Sequence, residues 1–441
     1  MDRRRFLQLG AFTALGAGFG TLMQRAAAAD YRAAVCVFLA GGCDSNNLIV
    51  PNDNAGYNAY ATARPPLAIA RNQLLPISPV SGGAYGFHPQ LTEVQQLFTQ
   101  GRLAVLANVG TLAMPTTAAQ AKSGNWPLPV NLLSHLDQQN QWVMLDPNSL
   151  TTATGWGGRT ADLLHTANAS AQFPAAVSVS GSNVFCDGAL TAAGVMDAYG
   201  GSGIAGNNSS WTVDQARMAA LRQLVPAPGG AQLEGAYTDA LTAAIGQDQL
   251  LQAIYATQIN TPFPDTYLGQ ELYRVAQMIG ARGMTGASRQ LFYVDIGSFD
   301  THANQAATQQ DLFTQLSQAL AAFNAATIEL GVDHNVVTFT HSEFSRTLAP
   351  AGNNGDGTDH ARGGHSLIMG GAVHGGDLYG TFPQLVLGGP DDASDEGRWA
   401  PSTSVDQYAA TIASWLGVAD NDLQTALPNL VNFTQKKLTF L

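Results

Sequence analysis

Short apolar runs alternate with amphipathic stretches along most of the chain. Residues 34–39, 103–109, 175–180, 290–296, 335–340 and 366–369 are dense in Val, Leu, Ile and Phe. Such runs fit strands covered on both faces, as in a parallel sheet. Between them, 88–100 sets Leu91, Val94, Leu97 and Phe98 at helical spacing and stops at Gly101. The stretch 309–330 puts Leu312, Leu316, Leu320 and Phe323 on one side, with Gly331 as its stop. Further helices are expected at 160–167, after the glycine turn 155–159, and at 408–416, and one starts within 132–139. This alternation predicts an α/β fold, a mostly parallel central sheet flanked by helices.

From Thr212 to Arg282 the pattern is helical almost without strands. Thr212 with Gln215 predicts a capping box, Asp265-Thr266 opens another helix, and Gly283 ends it. Residues 200–285 are therefore read as a helical excursion from one domain spanning 30–441.

Composition narrows the function. The 441 residues carry a net charge of −12, only 12% are charged, and the lysines are Lys122, Lys436 and Lys437. A nucleic-acid groove needs clustered Lys and Arg, so nucleic acid is not an expected partner. Anionic membranes are excluded on the same ground. Residues 1–29 read as a signal peptide: Arg3-Arg4-Arg5-Phe6-Leu7 is a twin-arginine signature, and Ala27-Ala28-Ala29 offers a cleavage site. The expected location is periplasmic or secreted, reached through the twin-arginine export machinery, with no stable membrane anchor after cleavage. That route carries folded proteins, often with cofactors inserted. Cys36, Cys43 and Cys186 allow at most one internal disulfide, and none is expected.

Candidate chemistry sits in loops that follow or adjoin strands. Gly357-Thr358-Asp359-His360-Ala361-Arg362-Gly363-Gly364-His365 gathers three metal donors in one glycine-rich loop. Asp295 to His302 forms a second cluster, and Asp44 follows Gly41-Gly42-Cys43 after the first strand. In open parallel sheets, ligands bind beyond the carboxyl ends of strands. Carboxylates and imidazoles converging there need a cation, and Asp/His ligation suits zinc or manganese better than calcium. Each piece also has a plainer reading: Asp44 as a helix N-cap, Asp300-Thr301-His302 as a turn. His88, His135 and His165 are expected to be structural or solvent-facing.

These stretches carry a resemblance. Residues 38–51, 299–305, Ser342-Glu343-Phe344-Ser345-Arg346-Thr347, 357–360 and Ser404-Val405-Asp406-Gln407-Tyr408 are similar to the domain-of-unknown-function family 1501. That family resembles the alkaline phosphatase and sulfatase superfamily, which implies an alkaline-phosphatase-like fold and a metal-dependent hydrolase of phosphate or sulfate esters. The resemblance implies metal ligands at Asp44, Asp300, His302, Asp359, His360 and His365, with Asp295 or His374 as alternatives, and one or two divalent ions. It also implies a small-molecule or glycan ester as substrate and a Ser or Thr nucleophile. Ser134 is the candidate for that role, and it could equally cap the helix that follows it. No cysteine lies in a Cys-x-Pro-x-Arg context, so a formylglycine sulfatase is not expected. A non-catalytic exported binding protein that keeps the fold is the alternative.

Overall fold

The computed structural model describes residues 31–441 apart from 148–150, 201–203, 205, 206, 208, 225–231 and 353. The expected signal, 1–29, lies outside the described residues. Among those described, the main sheet holds β1 (Arg32–Leu39), β2 (Leu103–Gly110), β3 (Ala176–Ser178), β4 (Gly194–Val195), β5 (Arg289–Ile296), β6 (Val336–His341), β7 (Gly364–Met369), β8 (Leu378–Gly380) and β9 (Thr403–Ser404). The order across the sheet is β8-β2-β7-β6-β1-β5-β3-β4, with β9 beside β2. β7 runs antiparallel to β6 and β2. All other pairings in this sheet are parallel.

β1 is buried on both faces, as its unbroken apolar run requires. Val35, Val37 and Leu39 join one core with the helices Thr92–Thr99, Tyr267–Gly280 and Gln305–Glu329. Ala34, Cys36 and Phe38 join the other with Trp142, Trp156 and the helix Val405–Leu416. Each buried Val, Leu or Phe contributes roughly 1.5–3 kcal/mol. Helices thus cover both faces of a mostly parallel sheet.

Several expected boundaries move. The glycine turn expected at 155–159 is instead a helix start, with Gly155 at the N-cap and Trp156–Leu163 helical. A Cβ on Gly158 would stand 2.1 Å from the Asp187 carbonyl carbon, so its glycine serves close packing, not a turn. Thr212 is already helical, and Gln215 donates its N–H to the Trp211 carbonyl. Thr266 does cap its helix, accepting from Gly269 N–H at 3.2 Å. That helix ends at Gly280 with Ala281 as its C-cap, not at Gly283, which lies inside the next short helix, Arg282–Thr285, capped by Gly286 at φ +67. Between 212 and 285 the described residues hold helices and no strand. The three cysteines are buried and free, and among the described residues no helix is long and apolar enough to cross a membrane.

The sheet's polarity sets the site. β1, β5 and β6 end at one edge, and β7, running the other way, begins there. The loop entering β7 therefore arrives where the loops leaving β1, β5 and β6 depart.

Candidate metal centre

Four loops and one helix end meet at that edge. The loop after β5 brings Asp300 and His302, the loop after β6 brings Glu343 and Arg346, and the loop into β7 brings Asp359 and His360. His135 opens the helix His135–Met144. The loop after β1 packs against the one after β5 through Gly41, at φ +115, where a Cβ would meet Asp300 N at 2.5 Å. Non-glycine residues with positive φ cluster in these segments: Asn131, Leu133, Ser298 and Asn304. Such backbone is held only where its surroundings over-determine it.

The ligand atoms of His135, Asp300 and His360 all lie within 4.8 Å of one another. His135 Nε2 stands 3.0 Å from His360 Nε2. Asp300 Oδ1 is 3.2 Å from His360 Nε2, and Oδ2 is 3.4 Å from His135 Nε2. His302 Nε2 lies 2.9 Å from Asp300 Oδ1 and 3.1 Å from His360 Nε2.

The tautomers follow from what each Nδ1 meets. His360 Nδ1 is 2.7 Å from the Leu133 carbonyl, which can only accept. His135 Nδ1 is 2.8 Å from Glu343 Oε1, a carboxylate with a fully buried side chain. His302 Nδ1 is 3.1 Å from Asp359 Oδ1. In each neutral ring the proton therefore sits on Nδ1, and Nε2 carries a bare lone pair. With the rings neutral, three lone pairs and a carboxylate converge at 2.9–3.4 Å. Such an arrangement repels itself unless a cation joins it. Tetrahedral zinc, with bonds of about 2.0–2.1 Å, spaces its ligands about 3.3 Å apart, so the donor set fits.

The surroundings tune the same atoms. Partial burial pushes the Asp300 carboxyl up, but the hydrogen bond and charge of Arg346, with His135 and His302, hold it below the usual range. Arg346, itself fully buried, donates to Asp300 Oδ1 at 2.6 Å. The Glu343 hydrogen bond raises His135 despite burial. Burial lowers His360, offset in part by the Leu133 carbonyl.

Of the expected ligands, Asp300, His302, Asp359 and His360 come together, and Asp44 and His365 do not. Asp44 is buried and paired with Arg64 at 2.5 Å, both side chains fully enclosed. Its Oδ2 also accepts from Gln305 and Gln309, and its Oδ1 from Asn46 N–H, so it is the N-cap of Ser45–Leu48. His365 is buried against Phe382, with Nδ1 accepting from Asn108 N–H at 3.0 Å. Of the alternatives, His374 meets the Thr439 carbonyl, and Asp295 donates its N–H to the buried Glu271. Ser134 sits at the N-cap position, but its side chain makes no capping hydrogen bond.

His135, expected to be structural or solvent-facing, is a correction: it stands in the middle of the cluster. Glu343, which orients it, has no role in the sequence-based expectation. The missed signal was its position, the second residue past β6, where the rule of strand carboxyl ends already pointed.

The family described as "Protein of unknown function (DUF1501)" matches residues 31–427. The chain belongs to this family. No curated protein matches it. Among solved structures it is similar to Ps i-CgsB in complex with k-i-k-neocarrahexaose, at 10% identity and TM-score 0.36, over 89% of this chain and 74% of that one. It is also similar to the PsFucS1 sulfatase from Pseudoalteromonas sp., at 11% and 0.34, over 89% and 72%. A third is the C-terminal periplasmic domain of EcEptC from Escherichia coli in complex with Zn, at 9% and 0.34, over 88% and 83%. Likeness at this level carries no argument about this member's chemistry, which stands on its own side chains.

Proposed function

We propose that this chain is an exported, metal-dependent hydrolase of phosphate or sulfate esters. The observation that carries the reading is the convergence of His135, Asp300 and His360, each oriented from behind so that an acceptor atom faces the centre. These three would hold one divalent ion, zinc before manganese, with Glu343, the Leu133 carbonyl and Arg346 as the groups that fix them. Arg64 already neutralises Asp44, so no second ion is needed there. A bound divalent ion supplies Lewis acidity and acidifies a coordinated hydroxyl.

The chain's own groups supply the rest. Ser134 precedes His135, and its hydroxyl, uncommitted to the helix, is the proposed nucleophile. His302 is half exposed, and Asp359 holds its Nδ1 proton. Its Nε2 can take the proton that the attacking hydroxyl gives up and return it to the leaving oxygen. Water then cleaves the seryl ester. The expected substrate is a small-molecule or glycan ester, and export is expected through Arg3 and Arg4.

One observation favours a second reading. His302 Nε2 is close enough to Asp300 and His360 to act as a fourth protein ligand. Four protein ligands make a closed, structural zinc site, whereas three leave an open position for chemistry. His302→Ala separates the two. A catalytic centre keeps its metal and loses turnover on phosphate or sulfate esters, whereas a closed site loses the metal. Metal-free native protein after careful preparation sinks both readings. Export has its own check: lysine at Arg3 and Arg4 should trap precursor in the cytoplasm.

A further inference from the structure

Three arginines are buried in the described structure: Arg64, Arg346 and Arg362. Two have carboxylate partners, Arg64 on Asp44 and Arg346 on Asp300. Arg362 has none. Its side chain forms no hydrogen bond or ion pair among the described residues, and Nε and Nη2 are buried without any partner. A charge taken out of water is ordinarily paired, because the desolvation cost is otherwise unmet. Loop slack does not explain the exception. Ser345 donates its N–H to the Arg362 carbonyl at 3.1 Å, and Gly363 N–H donates to the Trp399 carbonyl at 3.0 Å. The backbone is pinned on both sides while the guanidinium is left without an acceptor.

Arg362 is two residues beyond His360 in the same loop, so their Cα atoms are at most about 7 Å apart. We propose that the Arg362 guanidinium is an oxyanion-binding site, taking a phosphoryl or sulfuryl group at the edge of the His135–Asp300–His360 centre. The planar fork donates in parallel to two oxygens of a tetrahedral anion, a match that an ammonium cannot reproduce. This inference rests on the ester-hydrolase reading for the identity of the anion, but not for the existence of the site.

The test is calorimetric titration of inorganic phosphate and of sulfate into the wild type, Arg362→Gln and Arg362→Lys. Metal content is measured on each sample. The wild type should bind one anion per chain. Arg362→Gln should bind about tenfold to a hundredfold more weakly, and Arg362→Lys should fall between, with metal content unchanged in all three. In anion-free buffer, Arg362→Gln should melt no lower than the wild type, because it removes an unpaired buried charge. Added phosphate should raise the melting point of the wild type alone. Equal affinities in wild type and Arg362→Gln, or no anion binding by the wild type, overturn the proposal. A lower melting point for Arg362→Gln in anion-free buffer assigns the residue a packing role and overturns it too. Arg362-dependent binding in protein that holds no metal leaves this site standing and removes the hydrolase reading.

Discussion

Asp44 and Asp300 leave neighbouring parallel strands at the same sheet edge, yet the chain treats them in opposite ways. Asp44 is enclosed with Arg64, and its remaining valence is filled by Gln305, Gln309 and a backbone N–H. Asp300 is nearly half exposed, and besides Arg346 it faces imidazoles whose lone pairs point at it. The first region is complete in itself, whereas the second lacks a positive charge at its centre. A third carboxylate nearby takes another solution. Glu271 is fully buried on the Tyr267–Gly280 helix, bonded to Ser180 and the Asp295 N–H with no guanidinium or imidazole acting on it among the described residues, and burial pushes its carboxyl up to about 8. Guanidinium and proton are two ways of placing positive charge beside a buried or crowded carboxylate, and the ion proposed at Asp300 would be a third.

The contrast is broken most severely at Asp44. Asp44→Ala strands Arg64 in the core, and chemical denaturation should show a loss of about 3–5 kcal/mol. Metal content per folded molecule should stay at the wild-type value. If metal is lost along with stability, Asp44 belongs to the centre after all. His360→Ala should do the converse. It should lose most of its zinc by elemental analysis and the metal-linked part of its stability, while the metal-free forms of variant and wild type melt alike.

Glu343→Gln probes the layer behind. Losing the carboxylate that holds the His135 tautomer should weaken zinc binding by about tenfold to a hundredfold in a competitive chelator titration. An unchanged affinity would make Glu343 a packing residue.

Glu271 sharpens the comparison through pH. With the folded-state value near 8, the folded chain keeps a proton that the unfolded chain releases near 4.5. That share of stability is complete below about pH 4.5 and is lost as pH rises through about 8. Glu271→Gln should flatten this dependence and, at about pH 9, be more stable than the wild type. A variant whose melting point falls with pH as steeply as the wild type's would refute the protonated state. The smallest stability effect belongs to Ser134→Ala. Without a capping bond to lose, it should stay within about 0.5 kcal/mol of the wild type, while turnover of any ester substrate should vanish. Near-normal turnover removes Ser134 from the chemistry.

Much of this was legible before the structure. Unbroken apolar runs marked β1, β2, β5 and β6, the rule of strand carboxyl ends pointed to the loop of Asp300 and His302, and the glycine-rich loop drew attention to Asp359 and His360. Asp44 was placed at the correct edge, but its role turns on Arg64, twenty residues along, and no local pattern tells whether a side chain will deliver a cation to a given pocket. His135 was missed for a related reason. It lies at a helix start far from any strand end, and only the fold brings it beside His360. Glycine spacing misled at 155–158, where absent side chains serve helix packing rather than a turn.

The position of β1 carries a temporal consequence. Its two neighbours in the sheet, β5 and β6, begin at Arg289 and Val336, more than 250 residues later in the chain. At roughly 5–20 residues per second of synthesis, the first strand waits roughly 15–60 s for any partner to leave the ribosome. Throughout that time residues 33–39, the most apolar strand in the molecule, have no sheet to join, and such a segment aggregates readily unless shielded. Contacts this distant also slow folding once the partners exist. The newborn chain therefore carries an apolar strand without partners until β5 and β6 emerge, and the loops that hold Asp300 and His360 come later still.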